Sequence, residues 1–335
     1  MTTIKDIAER LGVSSGTVSK GLNGAEDISE ALRNKILETA VEMGYTKKSL
    51  HRQDVRKLCI FIENIDYYLE DDFGYDLLLG FRQAAFKENW DVEVIPVSHD
   101  FQIKRPYDPF MMGRNISGAL LIGFELNDPW MEELAHTKVP TVLFDNYIRE
   151  NPMCGSVGSD SDEGIGLAID HLAALGHRKI AFLDGPTGSM VSESRMDAYK
   201  RSMEKHSLAY SNRFIANEPY SMEAATRHVS GFIDIGITAI LCGNDTIAFG
   251  VVKECRRLGY QVPEDISVIG FDDMPACEFQ DPPLTTVRQD RIQLGKCCYY
   301  VLYALVNGVS LSRNLLRTTL TVRGTTAKVK PRNKK

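Results

Sequence analysis

The chain has 335 residues, 43% of them apolar and 25% charged, with a formal net charge of −6. That composition excludes a disordered, collagen-like or disulfide-stapled protein, and the length leaves room for two or three domains with sizeable cores. The charge is unevenly spread: residues 1–57 hold ten Lys/Arg against eight Asp/Glu and the remainder 29 against 37, a slightly basic head on an acidic body.

The seven cysteines (Cys59, Cys154, Cys242, Cys255, Cys277, Cys297, Cys298) are odd in number and show no CxxC spacing. They read as buried free thiols in a reducing cytosol, not as disulfides or zinc ligands. No charged-then-apolar leader opens the chain, and no apolar run reaches about 18 residues. A cytoplasmic protein without a membrane partner is expected.

In chain order, Thr3 with Asp6 three places on reads as a helix N-cap. Ile4, Ile7, Ala8 and Leu11 then repeat as one face of a helix, which Gly12 ends in a left-handed turn. Ser14 caps a second helix from about Ser15 to Leu22, with Val18 and Leu22 inward and Asn23-Gly24 as its stop. A third, from about Ser29 to Met43, carries Ile28, Leu32, Ile36 and Ala40 and ends at Gly44. The pattern fits a helix-turn-helix or a plain three-helix contact bundle. The outer face of the second helix carries Ser15, Gly16, Thr17, Ser19 and Lys20. These are small hydrogen-bonding groups and one cation, with no acid to repel phosphate, and they suit a major groove.

From Leu58 short apolar runs alternate with helical patterns. "LCIFIE", "VEVIPV", "GALLIG", "TVLFDN", "KIAFLDG", "AILCGND" and "ISVIGFDD" read as buried strands, within a total of about nine. Such alternation predicts two doubly wound lobes of parallel sheet, with a cleft at the strand carboxyl ends. Polar residues gather at those ends: Asp145-Asn146, Asp160, Asn244-Asp245 and Asp272-Asp273, with Arg195 opening a helix after "GPTGSMVSES". Carboxylates, amides and an arginine suit a polyol, whose hydroxyls both donate and accept. Each Asp or Asn can instead cap the next helix, and for Asp162 and Asp245 capping alone is expected. There is no GxSxG, HExxH or GxxxxGK[ST], so no catalytic residues, cofactor or metal are expected. Cys297-Cys298, in the helical stretch "RIQLGKCCYYVLYALVNG", reads as packing.

"TIKDIAERLGVSSGTVSKGLNG" followed by "ISEALRNKILETAVEMGY" closely resembles the headpiece of the lactose-repressor (LacI/GalR) family of transcription regulators. The resemblance implies that Ser15, Gly16 and Lys20 hold the base-reading positions, with Thr17 and Ser19 nearer the backbone. Thr3, Ser14 and Asn23, with Lys47 and Leu50 of the linker, complete the expected DNA-contacting set. Gly16 offers only its backbone, which places specificity on Lys20 and DNA shape. The linker "TKKSLHRQDVRKL" departs from the family's Pro-Asn and Ala-Arg-x-Leu hinge: Asp54 stands where a leucine is expected, and Leu50 alone could wedge into a minor groove. Lys47, Lys48, Arg52, Arg56 and Lys57 either follow phosphates or form a solvated linker.

The body resembles the family's regulatory domain through "HLAALGHRKIAFLDG", "AILCGNDTIAFGVV", "VPEDISVIGFDD" and "PPLTTVRQD". This domain is similar to periplasmic sugar-binding proteins, and the resemblance implies effector contacts from Asp145, Asp160, Arg195, Asn244 and Asp272. "DDFGYD" stands where the family commonly has Asn-Pro-aromatic-aromatic; Phe73 and Tyr75 either stack on a sugar or pack in the core.

The resulting expectation is an N-terminal all-α helix-turn-helix headpiece over 1–46 and an atypical hinge over 47–57. An α/β periplasmic-binding-protein-like domain of two doubly wound parallel-sheet lobes covers 58–330, and a basic tail 331–335. The expected partners are double-stranded DNA with a near-palindromic operator, a sugar or sugar derivative bound between the lobes, and a second copy in a homodimer joined near Leu77–Phe86. The expected function is sequence-specific repression controlled by that ligand. One alternative is a small-molecule-binding protein whose DNA binding is weakened by the altered hinge. A glycoside-cleaving enzyme using the cleft carboxylates is disfavoured, because binding proteins of this type have the same acidic cleft without turnover.

Overall fold

The computed structural model describes residues 2–25, 27–45 and 56–329. Helix α1 (Ile4–Leu11) opens on a capping box in which Asp6 N donates to Thr3 Oγ1 and Thr3 N donates to the Asp6 carboxylate at 2.8 Å. Gly12, at φ +66°, ends it. Helix α2 (Ser15–Leu22) is capped by Ser14, which accepts from Thr17 N at 3.0 Å, and α3 (Glu30–Glu42) by Ser29. Ile7, Ala8, Val18, Leu22, Ile36, Leu37 and Ala40 close a common core with Ile4, Leu11 and Leu32 packed against it; of the expected stripes only Ile28 lies outside it, half-buried, while Leu37 joins it unforeseen. Gly21 brings α2 close to α3: a Cβ there would stand 2.6 Å from Ile36 Cδ1.

The α/β part runs β1 (Arg56–Ile62), α4 (Phe73–Lys87), β2 (Trp90–Pro96), α5 (His99–Lys104), α6 (Tyr107–Gly113), β3 (Gly118–Ile122), α7 (Pro129–Leu134), β4 (Thr141–Phe144), β5 (Cys154–Ser159). It continues α8 (Ser161–Ala174), β6 (Ile180–Asp184), α9 (Met190–Lys205), β7 (Ile215–Asn217), α10 (Ala224–Asp234), β8 (Ala239–Cys242), α11 (Asp245–Arg257), β9 (Ser267–Asp272), β10 (Thr285–Arg288), α12 (Arg291–Val306), β11 (Arg313–Leu316), β12 (Thr319–Thr321).

The described residues fall into two compact units. The first takes in everything up to Ile65, Leu78–Val157 and Gly295–Asn314; the second takes in Asp66–Leu77, Gly158–Leu294 and everything from Leu315 on. The first holds a sheet of order β11-β5-β4-β3-β1-β2, the second one of order β12-β10-β9-β8-β6-β7. Neighbours from β1 to β5 pair in parallel, as do those from β6 to β10, and β12 adds an antiparallel edge. Every residue of β3, β4, β6, β8 and β9 is buried, because helices cover both faces of a parallel sheet.

The described strands number twelve, against an expectation of about nine. "TTVR" of β10 hides behind polar composition, yet Thr285 and Thr286 are fully buried with their hydroxyls in hydrogen bonds. β7, β11 and β12 are three- or four-residue edge strands, too short for a period to register. The helix over Leu77–Phe86 is there, but Leu77, Leu78, Phe81, Ala84 and Ala85 face inward, and of its apolar side chains only Phe86 is strongly exposed. All seven cysteines are free, and all but the half-buried Cys297 are buried. Among the described residues no helix is long and apolar enough to cross a membrane.

Candidate functional site

The head presents one polar surface. Ser15, Gly16, Lys20 and Asn23 are exposed on or beside α2, while Thr17 and Ser19 are half-buried. Thr3, Ser14 and Thr17 have local duties as well: Thr3 and Ser14 cap helices, and Thr17 Oγ1 lies 2.9 Å from Ser14 Oγ. Asn23 Nδ2 donates to Ser19 Oγ at 3.4 Å. Lys20 pairs with Asp27, an exposed ion pair that a phosphate or base could replace at little cost. Lys47 and Leu50, like Asp54, lie outside the described residues.

The second unit gathers polar groups at the carboxyl ends of four adjacent parallel strands. Asp184 ends β6, Asn244 follows β8, Asp272 ends β9 and Gln289 follows β10. Arg195 reaches this row from α9. It is 3% exposed, donates through Nη1 to Gly243 O at 2.5 Å, and stacks its guanidinium 3.8 Å from the centre of the Phe271 ring. It lies in the second turn of α9 (Met190–Lys205) rather than at the start of a helix as expected, because α9 begins earlier, in "MVSES". Asp272 is 7% exposed and accepts from Gln289 Nε2 at 2.6 Å. Burial pushes its carboxyl above the usual range, with the Arg195 charge pulling it back. Asp272 and Asp273 sit at φ +124° and +56°, a region costly for non-glycine residues and retained where geometry matters.

The capping expectations are partly reversed. Asp160 and Asn244 are the N-caps of α8 and α11, accepting from Glu163 N at 3.0 Å and Ile247 N at 2.9 Å. Asp162 and Asp245, expected to do only that, do not. Asp162 accepts from Arg201 on α9. Asp245 is fully buried and ties three segments together: it accepts from Thr286 Oγ1 at 2.6 Å, Met274 N at 2.8 Å and Cys277 Sγ at 3.0 Å. The caps fall earlier in the chain: Asn244 stands one residue before Asp245, and Asp160 two residues before Asp162.

Phe73 and Tyr75 are both partly buried, and the turn that bears them belongs to the second unit. Asp76 in the same turn accepts from Arg291 Nε and Nη2 at 3.2 and 3.0 Å, and Arg291 Nη1 also donates to Asp272 O at 3.0 Å. Asp145 belongs to the first unit, at φ +56° after β4, its N–H donating to Val157 O at 2.9 Å.

Four members of the cluster escaped the sequence reading: Asp184, Ser192, Tyr220 and Gln289. Tyr220 is within electrostatic range of Arg195, Asp184 and Asp272, and its hydroxyl lies 3.0 Å from Ser192 Oγ. Asp184 stood in plain view at the end of "IAFLD", the same position relative to its strand that drew attention to Asp272; Tyr220 follows no strand motif and carried no signal. A hollow of about 370 Å³, lined in part by Thr187, Ser192, Glu193 and Asn217, adjoins the cluster at Ser192. Among the described residues no group of three or more His, Cys, Asp or Glu is placed to hold a metal ion.

A helix-turn-helix head followed by two α/β units of parallel sheet, one with a buried Arg–Asp cluster at its strand ends, defines a DNA-binding regulator with a periplasmic-binding-protein-like body. Comparison with known proteins agrees. Residues 3–48 match the bacterial regulatory proteins of the lacI family, and residues 169–326 match the periplasmic binding protein-like domain. The chain is 27% identical to the transcriptional repressor CytR of Escherichia coli K12 over 97% of its own length and 96% of that protein's. It is 26% identical to the repressor PurR of Vibrio vulnificus, over 98% and 100%. The Lac repressor bound to ONPG in the repressed state superposes with a TM-score of 0.69 at 25% identity, over 97% of this chain and 99% of that one. The head thus matches the lacI family of bacterial regulatory proteins, and the full-length relatives CytR and PurR are transcriptional repressors.

Proposed function

We propose that the protein is a sequence-specific repressor that acts in the cytoplasm as a homodimer on a near-palindromic operator. In this reading its operator affinity is set by a sugar or sugar derivative held by the polar cluster of the second unit. Ser15, Gly16 and Lys20 meet base edges; Thr3, Ser14, Thr17, Ser19 and Asn23 lie nearer the phosphates, joined by Lys47 and Leu50 of the linker. Arg195, Asn244 and Asp272 hold the ligand, with Tyr220 and Gln289 beside them.

The observation that carries the reading is a buried guanidinium flanked by carboxylates and amides at four adjacent strand ends. Open parallel sheets bind ligands there, and a hydroxyl needs donors and acceptors together. Ligand binding changes DNA affinity by a coupling free energy, typically about 1–3 kcal/mol.

The test begins with enrichment of bound duplexes from a random pool by the full-length protein. The selected duplex is then titrated between about 50 and 200 mM salt. The expected result is a near-palindromic site whose affinity falls steeply with salt and weakens in Lys20→Ala. A sugar that alters this affinity should lose its effect in Arg195→Ala. No enrichment and a flat salt response would overturn the repressor reading and leave a small-molecule-binding protein, the alternative to which Asp54 in the linker points.

A further inference from the structure

Among the described residues, Asp184 is the one carboxylate of the cluster with a buried oxygen that has no hydrogen-bond partner. It is fully buried at the carboxyl end of β6. One oxygen, Oδ1, accepts only from the next backbone amide, Gly185 N, at 2.8 Å. The other, Oδ2, is buried with no hydrogen-bond partner among the described residues. Asp245 and Asp272, also buried, each have side-chain oxygens engaged by other parts of the unit. A buried carboxylate oxygen left without a donor is costly and is uncommon in native proteins unless it has a use.

The surroundings are built to admit it. Tyr220 closes over the Asp184-Gly185 turn so tightly that a Cβ at Gly185 would lie 2.1 Å from the ring. At Gly243 a Cβ would lie 2.7 Å from Asp184 Oδ1. Glycines at both positions leave the carboxylate and the phenol room. Asn217 Nδ2 donates to Gly185 O at 2.9 Å, and both Asn217 and Ser192 line the adjoining hollow. The charged and titratable groups in electrostatic range of Asp184 are Arg195 from α9 and Tyr220 from the loop before α10, and both of these are also in range of Asp272 at the end of β9. Arg195 thus serves both carboxylates, and Arg291 adds its charge at Asp272 but not at Asp184.

We propose that Asp184 is a specificity-determining, ligand-contacting residue: its free oxygen accepts a hydrogen bond from a hydroxyl of an uncharged polyol, and its charge excludes ligands that carry a phosphate or carboxylate at that position. The proposal rests on the reading that this cluster binds the effector. A hydroxyl supplies the missing donor, whereas an anion there would meet the Asp184 carboxylate with only the Arg195 guanidinium, itself already drawn to Asp272, to offset it. Burial raises the Asp184 pKa to about 7, with the Arg195 charge and the Gly185 amide pulling it back. The ligand-free protein therefore holds a carboxylate at some cost to its own stability, as sites kept for ligands commonly do.

The experiment uses the full-length protein with Asp184→Asn, which keeps shape and removes charge, and Arg195→Ala. Thermal midpoints are measured without ligand at pH 5 and pH 8. Binding is then measured for ribose, glucose and cytidine against ribose 5-phosphate, glucose 6-phosphate and cytidine monophosphate. Without ligand, Asp184→Asn should raise the midpoint at pH 8, with the gain vanishing at pH 5, where the buried carboxyl is protonated. A lower midpoint at pH 8 would make Asp184 a structural residue and overturn the inference, whatever the panel shows. Wild type should bind an uncharged member and refuse its phosphate, and Asp184→Asn should weaken the uncharged member at least tenfold while narrowing its advantage over the phosphate. Preference for the phosphate in wild type, or unchanged binding in Asp184→Asn while Arg195→Ala abolishes it, overturns this inference alone. Binding that survives Arg195→Ala intact overturns the assignment of the cluster itself.

Discussion

Gly231 lies inside α10 and Gly250 inside α11, and helix propensity makes the same statement about both: alanine should stabilise by roughly 0.5–1 kcal/mol. Their surroundings separate them. At Gly231 an added Cβ meets nothing within 4 Å. At Gly250 it would land 2.2 Å from Met222 O, 2.8 Å from Met222 Cα and 2.9 Å from Met222 C. These are backbone atoms and cannot rotate away. Ordinary carbon–oxygen contact is roughly 3.3 Å or more, so the segments must part by about 1 Å. Met222 O also accepts from Ala225 N, and Ala224 and Ala225 belong to the same buried cluster as Ala248 and Val251, so the shift is transmitted into the core. Overpacking of this kind costs about 1–3 kcal/mol. After the propensity gain, Gly250→Ala should lose about 1–2 kcal/mol while Gly231→Ala gains up to about 1. At about 2–4 °C per kcal/mol for a domain of this size, Gly250→Ala should melt several degrees below wild type and Gly231→Ala slightly above. Because Tyr220 lies two residues before Met222, Gly250→Ala should also weaken ligand binding. Two variants moving upward together would refute the packing argument and leave propensity in charge.

Asp245→Ala should lose about 3–5 kcal/mol in urea unfolding, since it strands Met274 N, Thr286 Oγ1 and Cys277 Sγ in a dry interior; a loss below about 1 kcal/mol would mean those donors find other partners. Burial, reinforced by Asp128 and Glu125, raises the Glu63 pKa to about 7. A carboxyl raised in the folded state contributes stability that is full below its unfolded value and lost as pH rises through the folded one. Wild type should therefore lose midpoint relative to Glu63→Gln between about pH 4.5 and 7. Parallel curves for the two proteins across that window would place the Glu63 pKa near its ordinary value. Ser14→Ala removes the acceptor for Thr17 N and should cost the head about 1 kcal/mol, read as earlier loss of helix signal in an isolated 1–45 fragment or as weaker operator binding by the full chain.

The head was almost wholly legible in the sequence. A three-helix core of this size is governed by contacts within a few residues, so caps at Thr3, Ser14 and Ser29 and stripes at period 3.6 determine both the helices and what they bury. The central parallel strands were legible too, because burial on both faces demands unbroken apolar runs. β10 and the edge strands were not, since Thr285 and Thr286 are made acceptable in the core only by hydroxyl partners distant in sequence.

The cluster divides in the same way. Arg195, Asn244 and Asp272 stood out by residue type at strand ends and by resemblance to the family, but nothing local distinguished an aspartate that caps from one that ties loops together or one left with a free oxygen. Asp160, Asp245 and Asp184 take those three parts, each set by which backbone amides and side chains the fold brings to it. Local spacing by itself determined the head's helices and the central strands, and the quoted motifs carried the resemblance to LacI/GalR regulators. Only the tertiary structure decided the composition of each sheet and the work of each buried carboxylate. The physical reason is range: periodicity and capping act over three or four residues, whereas a hydrogen bond such as Thr286 to Asp245, 41 residues apart, exists only once the sheet has been assembled.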